Sequence, residues 1–151
     1  MTVGRPVSAR GGPGDDGEVP ADVFARLRSV CLDLPETHEE QAWTGVRWRV
    51  RTRTFAHVLL VASGWPPAYA RAVGRDGPAL VLMFRSGGLE VAALRSTGRP
   101  FFAPPWRVDE VGLEVDDATD WDEVAALVTE SYCVVAPRAL VARVVRPSGS
   151  A

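Results

Sequence analysis

The 151-residue sequence contains no lysine, no asparagine and no isoleucine, and all 17 of its basic residues are arginine. The three missing residue types share A/T-rich codons, so the simplest cause is a GC-rich genome. The choice of arginine over lysine therefore says nothing about bidentate recognition of an anion. The positions of the arginines along the chain are what remains informative.

Other scarcities exclude whole classes of protein. No apolar run approaches the roughly 20 residues that a transmembrane helix needs. Two cysteines, Cys31 and Cys133, are too few for a disulfide scaffold or a structural zinc site, and both lie in apolar segments typical of buried thiols. The N-terminus lacks the apolar segment of a secretory signal. We therefore expect a cytoplasmic protein without a membrane partner, and we expect a monomer.

Length and composition predict one domain with a hydrophobic core. The chain is 46% hydrophobic and 24% charged, and its length suffices for one core but not for two. Residues 1–18 are rich in Gly, Pro, Asp and Ser, which predicts a disordered leader, and residues 147–151 form a similar flexible tail. The domain is therefore expected to span residues 19–146.

The formal net charge of −2 conceals a strong separation of charge along the chain. Residues 47–107 carry ten arginines against two carboxylates, whereas residues 108–130 carry nine carboxylates and no basic residue. Global charge therefore gives no support for nucleic-acid binding, while local charge gives some.

The densest positive charge lies in residues 46–54, where arginines alternate with apolar residues at the two-residue period of a β-strand. The arginines of this stripe are Arg47, Arg49, Arg51 and Arg53. A single strand extending to Val61 would exceed the usual strand length, so we expect a hairpin with its loop at residues 51–53. Arg47 and Arg49 then lie on a strand, and Arg51 and Arg53 lie at the hairpin tip.

The remaining patterns predict an α+β fold with an antiparallel β-sheet. A first helix is expected after a capping Asp22, further strands at residues 54–62, 79–84 and 111–115, and a short helix at residues 89–96. Asp120 and Glu123 have the spacing of a capping box that opens another helix, and Pro137 fits the first turn of a last one. Residues 64–78 are expected to form a long loop, a feature that is often functional.

Two interpretations of the arginines stay open. In the first, the hairpin presents its four arginines to duplex DNA, and Arg71 and Arg75 on the long loop make a second contact. In the second, the stripe is a structural ionic face that is neutralised by carboxylates lying across the sheet. The expected partners are Glu114, Asp116 and the acidic helix start at Asp120, Asp122 and Glu123.

The two histidines do not predict a catalytic or metal site. His38 is expected in an acidic loop with flexible glutamates, which has no ligand spacing of a known metal motif. His57 is expected on the second strand as a packed, hydrogen-bonded histidine that shares a face with Phe55, Leu59 and Val61. We therefore expect a non-enzymatic protein with no catalytic residue, no metal and no cofactor.

Aromatic residues offer an alternative function. Trp65 lies in the Pro-rich start of the long loop, and the segment from Phe101 to Trp106 is similarly rich in aromatic residues and proline. A cleft between these two segments would make the protein a small-molecule-binding or protein-binding module. The residues expected to line such a pocket are Trp65, Tyr69, Phe102 and Trp106.

Several segments together resemble the MmcQ/YjbR family over about residues 22–145. The motifs that carry the resemblance are Leu34-Pro35-Glu36, Glu39-Glu40, Trp43-Thr44-Gly45, the hairpin from Trp48 to Ala56, Trp106, and Ser131-Tyr132. The resemblance implies a fold similar to the bacterial frataxin CyaY, with helices packed on one face of an antiparallel sheet. It also implies DNA binding, with hairpins acting as a double wing. The hairpin glycine of the family is Thr52 here, so the turn is expected to differ, while Arg53 keeps the family's basic position.

Overall fold

The computed structural model describes residues 19–146, so the leader and tail expected at residues 1–18 and 147–151 lie outside the described residues. The strands of this range are β1 (Thr37–Gln41), β2 (Val46–Val50), β3 (Arg53–Val61), β4 (Ala79–Arg85), β5 (Phe101–Phe102) and β6 (Glu110–Val115). They form one sheet in the order β1-β2-β3-β4-β6-β5, and every neighbouring pair is antiparallel. The predicted α+β fold with an antiparallel sheet is confirmed.

The helices of the described range are α1 (Ala21–Cys31), α2 (Pro67–Val73), α3 (Gly88–Thr97), α4 (Trp121–Val135) and α5 (Arg138–Val141). Asp120 caps α4 as predicted, since its side chain accepts from the backbone N–H of Asp122 at 3.0 Å and of Glu123 at 3.2 Å. Asp22 does not cap α1, because the helix begins at Ala21 and Asp22 therefore lies inside its first turn. Within the part of the chain that the structure describes, no helix combines the length and apolarity needed to cross a membrane.

One face of the sheet, here called the helix face, holds the main core. Trp48 of β2 is fully buried there, and the ring of Phe24 from α1 lies 6.1 Å from it. Tyr132 of α4 is also fully buried and donates from its hydroxyl to the carbonyl oxygen of Pro35 over 2.7 Å. Burying aromatic rings of this size supplies much of the apolar area that stabilises a small domain.

The opposite face, here called the open face, is partly covered by α2. A second, smaller core lies beneath this helix and contains Leu59, Val61, Ala70, Ala79, Val81, Met83 and Phe102. The loop predicted for residues 64–78 therefore contains a helix. Pro67 starts that helix, where its missing N–H costs no hydrogen bond, and Gly74 ends it with a left-handed φ of 94°.

A register shift beside Trp48 and Arg49 decides which residues of β3 share a face. Phe55 packs into the main core, with its ring 5.4 Å from Tyr132 in a T-shaped arrangement. His57 lies opposite Arg47 on one side and Met83 on the other, which places it on the open face. The prediction that Phe55 and His57 share a face was wrong, because the bulge adds one residue to β3.

Two further local predictions change in the structure. The predicted acidic loop around His38 is the edge strand β1, which pairs with β2 so that Glu40 lies opposite Arg47. In the turn between β2 and β3, the left-handed conformation falls on Arg51, with a φ of 56°. The turn therefore differs from a glycine turn, as expected, and it leaves the β-branched Thr52 outside the left-handed region.

Candidate functional site

Beside α2 the open face stays uncovered and forms a cleft of about 460 Å³, here called the open-face cleft. Its floor is made by the strands β2, β3, β4 and β6. Its walls come from α2, the turn after β1, the turn between β2 and β3, and the segment that leads into β6. Two of its walls belong to the segments that the aromatic residues indicated, and the other walls are turns of the sheet that the sequence did not indicate.

The register of the sheet brings the floor residues together. Arg47 lies opposite His57, and Arg85 lies opposite Glu110. Side chains on one face of neighbouring strands are about 5 Å apart, and those two residues apart along a strand about 7 Å. Charged and titratable side chains from four strands thus converge on one area of the open face.

Four arginines line the cleft, and three of them contact a carboxylate. The lining arginines are Arg47, Arg53, Arg85 and Arg107. The carboxylate contacts are Arg47 Nε to Glu40 Oε1 at 2.8 Å, Arg85 Nη2 to Asp109 Oδ2 at 2.8 Å, and Arg107 Nε to Glu110 Oε1 at 3.7 Å. Glu40 also contacts Arg49, so the arginines in and beside the cleft outnumber the carboxylates that contact them.

Arg85 carries a donor without an acceptor. Its side chain is 13% exposed, and its Nε is buried and makes no hydrogen bond to any residue of the range 19–146. A buried donor left without a partner costs about 1–3 kcal/mol. Arg85 is therefore a lining residue that keeps one donor unsatisfied, at an atom with almost no accessible surface.

Burial shifts the ionisation of two acidic groups in the wall and floor. Glu110 accepts a hydrogen bond from the indole Nε1 of Trp106 at 2.9 Å, yet burial outweighs this bond and raises the pKa of the Glu110 carboxyl. Burial also raises the pKa of the Tyr69 hydroxyl, and the nearby Glu110 charge adds to the effect. Clusters of titratable groups with shifted pKa values are typical of functional sites.

His57 is held in its neutral form. Burial lowers the pKa of its imidazole, and the neighbouring Arg47 charge acts in the same direction, while the hydrogen bond to Thr44 opposes them. The ring Nε2 lies 2.8 Å from the carbonyl oxygen of Thr44. Because a carbonyl only accepts, Nε2 carries the proton and Nδ1 is the acceptor.

Aromatic rings stand at the mouth of the cleft. Tyr69 and Trp106 meet with ring centroids 5.0 Å apart at 67°, and Trp43 meets Trp65 at 5.5 Å and 80°. Trp43 is 71% exposed and Trp106 is 42% exposed. Large aromatic surfaces therefore face solvent next to the guanidinium groups, an arrangement that is suited to a ligand with an apolar part.

The arginines predicted to bind nucleic acid differ in the partners that they contact. Arg47 and Arg49 both contact Glu40, the latter at 3.5 Å, and Arg51 contacts Glu36 at 3.2 Å. Arg75 contacts Glu114 at 2.7 Å, and Arg71 is exposed on α2. Arg53 leans towards the end of α4, where it donates to the carbonyl oxygen of Val135 at 3.4 Å.

The carboxylates expected opposite Arg47 and Arg49 were wrongly identified. Glu40 of β1 contacts both arginines, whereas Glu114 contacts Arg75 and Arg99. The error arose because β1 was predicted as a loop. An ionic face exists on the sheet, and its carboxylates come from the neighbouring edge strand.

Two of the four predicted pocket residues, Tyr69 and Trp106, line the cleft. Trp65 packs beside it against Trp43, and Phe102 lies in the smaller core, where its ring covers Gly112. Sequence reasoning missed the residues Trp43, His57, Arg85, Arg107 and Glu110. Arg85 could have been found, because it ends an apolar strand. It also lies two residues after Met83, so the two side chains share one face of the sheet.

Comparison with known proteins gives a family and a fold. The family model described as YjbR matches residues 32–134. The chain is also similar to the crystal structure of Deinococcus radiodurans protein DR2400, a DUF419 domain, with a TM-score of 0.56 and 19% sequence identity. The alignment covers 85% of this chain and 94% of that one, and at this identity it shows the fold alone. No curated protein matches the chain.

Proposed function

This chain belongs to the YjbR family, as its sequence motifs predicted, and we propose that it is a non-enzymatic protein that binds a small anionic ligand in the open-face cleft. The observation that carries the proposal is the placement of four arginines and of exposed aromatic rings around one cleft. The volume of about 460 Å³ lies within the usual range of small-molecule sites, about 300–1,000 Å³.

Arg85 supports an anion as the ligand. It lines the cleft, and its guanidinium group is already oriented by Asp109 through Nη2. Charge-assisted hydrogen bonds from arginine to an anion are about twice as strong as neutral ones. An anion in the cleft would therefore meet a guanidinium group that is already held in place.

The partners of the titratable groups support binding rather than catalysis. His57 uses its Nε2 proton for the carbonyl of Thr44, and the carboxylate of Glu110 holds Trp106 and Arg107. Donating the Nε2 proton or protonating the Glu110 carboxylate would break these contacts, which leaves Nδ1 of His57 as the one ring atom without such a structural task. The fixed geometry is what a binding site requires, because preorganised groups lose little entropy when the ligand arrives.

A thermal-shift screen tests this proposal. Anionic compounds with carboxylate, phosphate or sulfonate groups are compared with neutral analogues, using the wild type, Arg85→Gln and the matched control Arg71→Gln on the exposed side of α2. A ligand at about 100 times its Kd stabilises the folded state by about 2.7 kcal/mol, which raises the Tm by several degrees. We expect shifts with anions in the wild type and the control but not in Arg85→Gln. Equal shifts in all three proteins would contradict the proposal.

Duplex DNA binding through the hairpin of β2 and β3 is the second candidate that we propose. The observation that favours it is the exposure of Arg51, Arg53 and Arg71, of which Arg53 has only a weak backbone contact. Against it stand the carboxylate partners of Arg47, Arg49, Arg51 and Arg75, which would have to be displaced by phosphates.

Fluorescence anisotropy with labelled duplex DNA at two salt concentrations tests this candidate. If four arginines contacted phosphates, the logarithm of the affinity would fall with the logarithm of the salt concentration at a slope of about −3.6. Removal of the four hairpin arginines would abolish the binding. Absence of binding at low salt would exclude the candidate and leave the small anion.

A further inference from the structure

His57 and Tyr69 give the open-face cleft two polar atoms that the protein itself does not use. His57 lies on the floor and Tyr69 on α2, and both line the cleft. Resting on the proposed function, we infer that the anionic ligand also carries an uncharged hydroxyl or N–H group, which donates a hydrogen bond to Nδ1 of His57.

The tautomer of His57 leaves Nδ1 as an acceptor. Nε2 carries the proton, because it lies 2.8 Å from the carbonyl oxygen of Thr44, and Nδ1 of the neutral ring therefore keeps its lone pair. The side-chain polar atoms of residues 19–146 that are both unpaired and fully shielded belong to Arg49 and Arg85. Nδ1, which has no hydrogen-bond donor in that range, is therefore accessible. It can accept a hydrogen bond while the bond to Thr44 stays intact.

The accessible part of the His57 ring faces the cleft. His57 lies opposite Arg47 on one side and Met83 on the other, and all three residues line the cleft. Thr44 occupies the Nε2 end of the ring, and Tyr69 packs edge-to-face against it with centroids 6.2 Å apart. A donor that reaches Nδ1 therefore comes from within the cleft.

The hydroxyl of Tyr69 is the second unused polar atom. Among the residues that the structure describes it has no hydrogen-bond partner, and it is not fully shielded. Burial and the nearby Glu110 charge raise the pKa of this hydroxyl, so it keeps its proton at neutral pH. A phenol both donates and accepts, so Tyr69 can bind the same ligand group that donates to His57.

Arginines lie within reach of the other end of such a ligand. Arg47 is the cross-strand neighbour of His57, and Arg85 follows Met83 by two residues. These positions place the two arginine Cβ atoms about 5 Å and about 7–8 Å from that of His57. Nη2 of Arg85 holds Asp109, whereas Nη1 has no partner within residues 19–146 and is not fully shielded. The nearby guanidinium groups also disfavour a cationic donor, which leaves a hydroxyl or a neutral N–H.

Isothermal titration calorimetry of the full-length chain at about pH 7.5 tests the inference with matched anions. 6-Hydroxy-2-naphthoate and 4-hydroxyphenylacetate carry a hydroxyl donor at two different distances from the carboxylate. Their methoxy counterparts keep the charge and the oxygen but cannot donate, and 2-naphthoate and phenylacetate control for the bulk of the substituent. We expect the hydroxy compound that fits the cleft to bind about three- to tenfold more tightly than its methoxy counterpart and its parent acid.

A variant assigns the donor to His57. His57→Phe keeps an aromatic ring but has no acceptor, so the ratio of hydroxy to methoxy affinity should fall to about one. Arg71→Gln on α2, outside the cleft lining, should keep the ratio of the wild type.

A measurement on the wild type keeps the test valid where His57→Phe does not fold. A long-range ¹H–¹⁵N correlation spectrum of the imidazole reports Nδ1 directly, because the resonance of an unprotonated ring nitrogen moves upfield when it accepts a hydrogen bond. The hydroxy compound should move this resonance upfield, and its methoxy counterpart should not.

The outcomes separate this inference from the proposed function. Equal affinity within both hydroxy and methoxy pairs would overturn the donor and leave anion binding in the cleft intact. A hydroxyl advantage that persists in His57→Phe, or an Nδ1 resonance that stays in place, would overturn the assignment to His57. Failure of every anion to bind would overturn both the inference and the proposed function.

Discussion

The indole Nε1 of Trp106 donates to Oε1 of Glu110 over 2.9 Å, and this bond joins the aromatic wall of the open-face cleft to its floor. The same carboxylate contacts Arg107 at 3.7 Å and lies opposite Arg85 in the sheet. Glu110 therefore organises the cleft while placing a negative charge in it. The organised cleft favours the binding of an anion, whereas the negative charge of Glu110 opposes it.

Replacing Glu110 by Gln is expected to strengthen anion binding. The amide oxygen keeps the acceptor for Trp106 and removes the charge, and a unit charge about 7 Å away contributes about 0.6 kcal/mol in water and more where water is scarce. With 2-naphthoate, an aromatic carboxylate, as the anionic probe, we expect the affinity at about pH 7.5 to rise roughly 3- to 10-fold by calorimetry. Asp117→Asn, a neutralisation on the exposed surface outside the cleft, is the control and is expected to change little.

The pH dependence of binding provides an internal check of that result. Because burial raises the pKa of Glu110 above its usual 4.5, protonation removes the negative charge as the pH falls towards that value. Anion affinity in the wild type should therefore increase as the pH is lowered from about 8 to 5.5. In Glu110→Gln this increase should be smaller, and the remainder belongs to protonation of His57, which also lines the cleft. An equal increase in both proteins would assign the whole effect to groups other than Glu110.

His57 is expected to make folding stability depend on pH. The folded state lowers the pKa of His57 below its usual 6.5, so the unfolded chain binds more protons once the pH falls through that value, and the free energy of unfolding decreases. Glu110 opposes the trend, because its raised pKa makes the folded state bind more protons above pH 4.5.

Comparison with a variant isolates the contribution of His57. His57→Gln keeps an N–H donor for the carbonyl of Thr44 but does not titrate. Urea denaturation between about pH 7.5 and 5.5 should show a smaller loss of stability in the variant than in the wild type. Identical losses would mean that His57 is not held neutral in the folded protein.

Gly112 is expected to tolerate no side chain. A Cβ at this position of β6 would overlap the ring of Phe102, which closes the smaller core beneath α2. Gly112→Ala should therefore lower the free energy of unfolding by about 1–3 kcal/mol or more, since overpacking displaces a buried ring. Gly87→Ala is the control for an added Cβ, which would make only an ordinary contact at 3.6 Å with Val134, and its smaller expected cost is that of alanine at the N-cap of α3. Similar losses in both variants would show that Phe102 does not lie on Gly112.

Asp120 is expected to stabilise α4 through its cap. Its carboxylate accepts from the backbone N–H groups of Asp122 and Glu123, so Asp120→Ala should cost about 1 kcal/mol of unfolding free energy. Asp117→Ala, a nearby substitution of an exposed aspartate, is expected to be close to neutral. A chemical denaturation series on the two variants measures the difference, and equal stabilities would contradict the cap.

Local signals explain which parts of the fold were predictable. The cap at Asp120 and the hairpin of β2 and β3 follow from spacing within a few residues, and both were found. Strand β1 was missed because its sequence shows no apolar alternation. It is held by partners far along the chain, since Glu39 accepts from Nε1 of Trp48 at 2.9 Å and pairs with Arg28. No pattern within five residues contains that information.

The cleft was predictable only in part for the same reason. Tyr69 and Trp106 were found because they lie in segments dense in aromatic residues and proline. Arg85 and His57 were not, because their convergence depends on the register of three strand pairs and on the bulge in β3. The six arginines predicted for nucleic acid were selected by charge density along the sequence, whereas the carboxylates that contact them come from other elements.

A ¹H–¹⁵N NMR titration of the protein with 2-naphthoate tests whether an anion binds in the open-face cleft. Signals of the cleft should shift together and saturate, namely the indole N–H of Trp106 and the amides of Tyr69, Arg85 and Glu110. Signals beside Glu114, at the other end of β6, should stay unchanged. Saturating shifts confined to residues 51–53 at the hairpin tip, or no shift at any concentration, would contradict a ligand site in the open-face cleft.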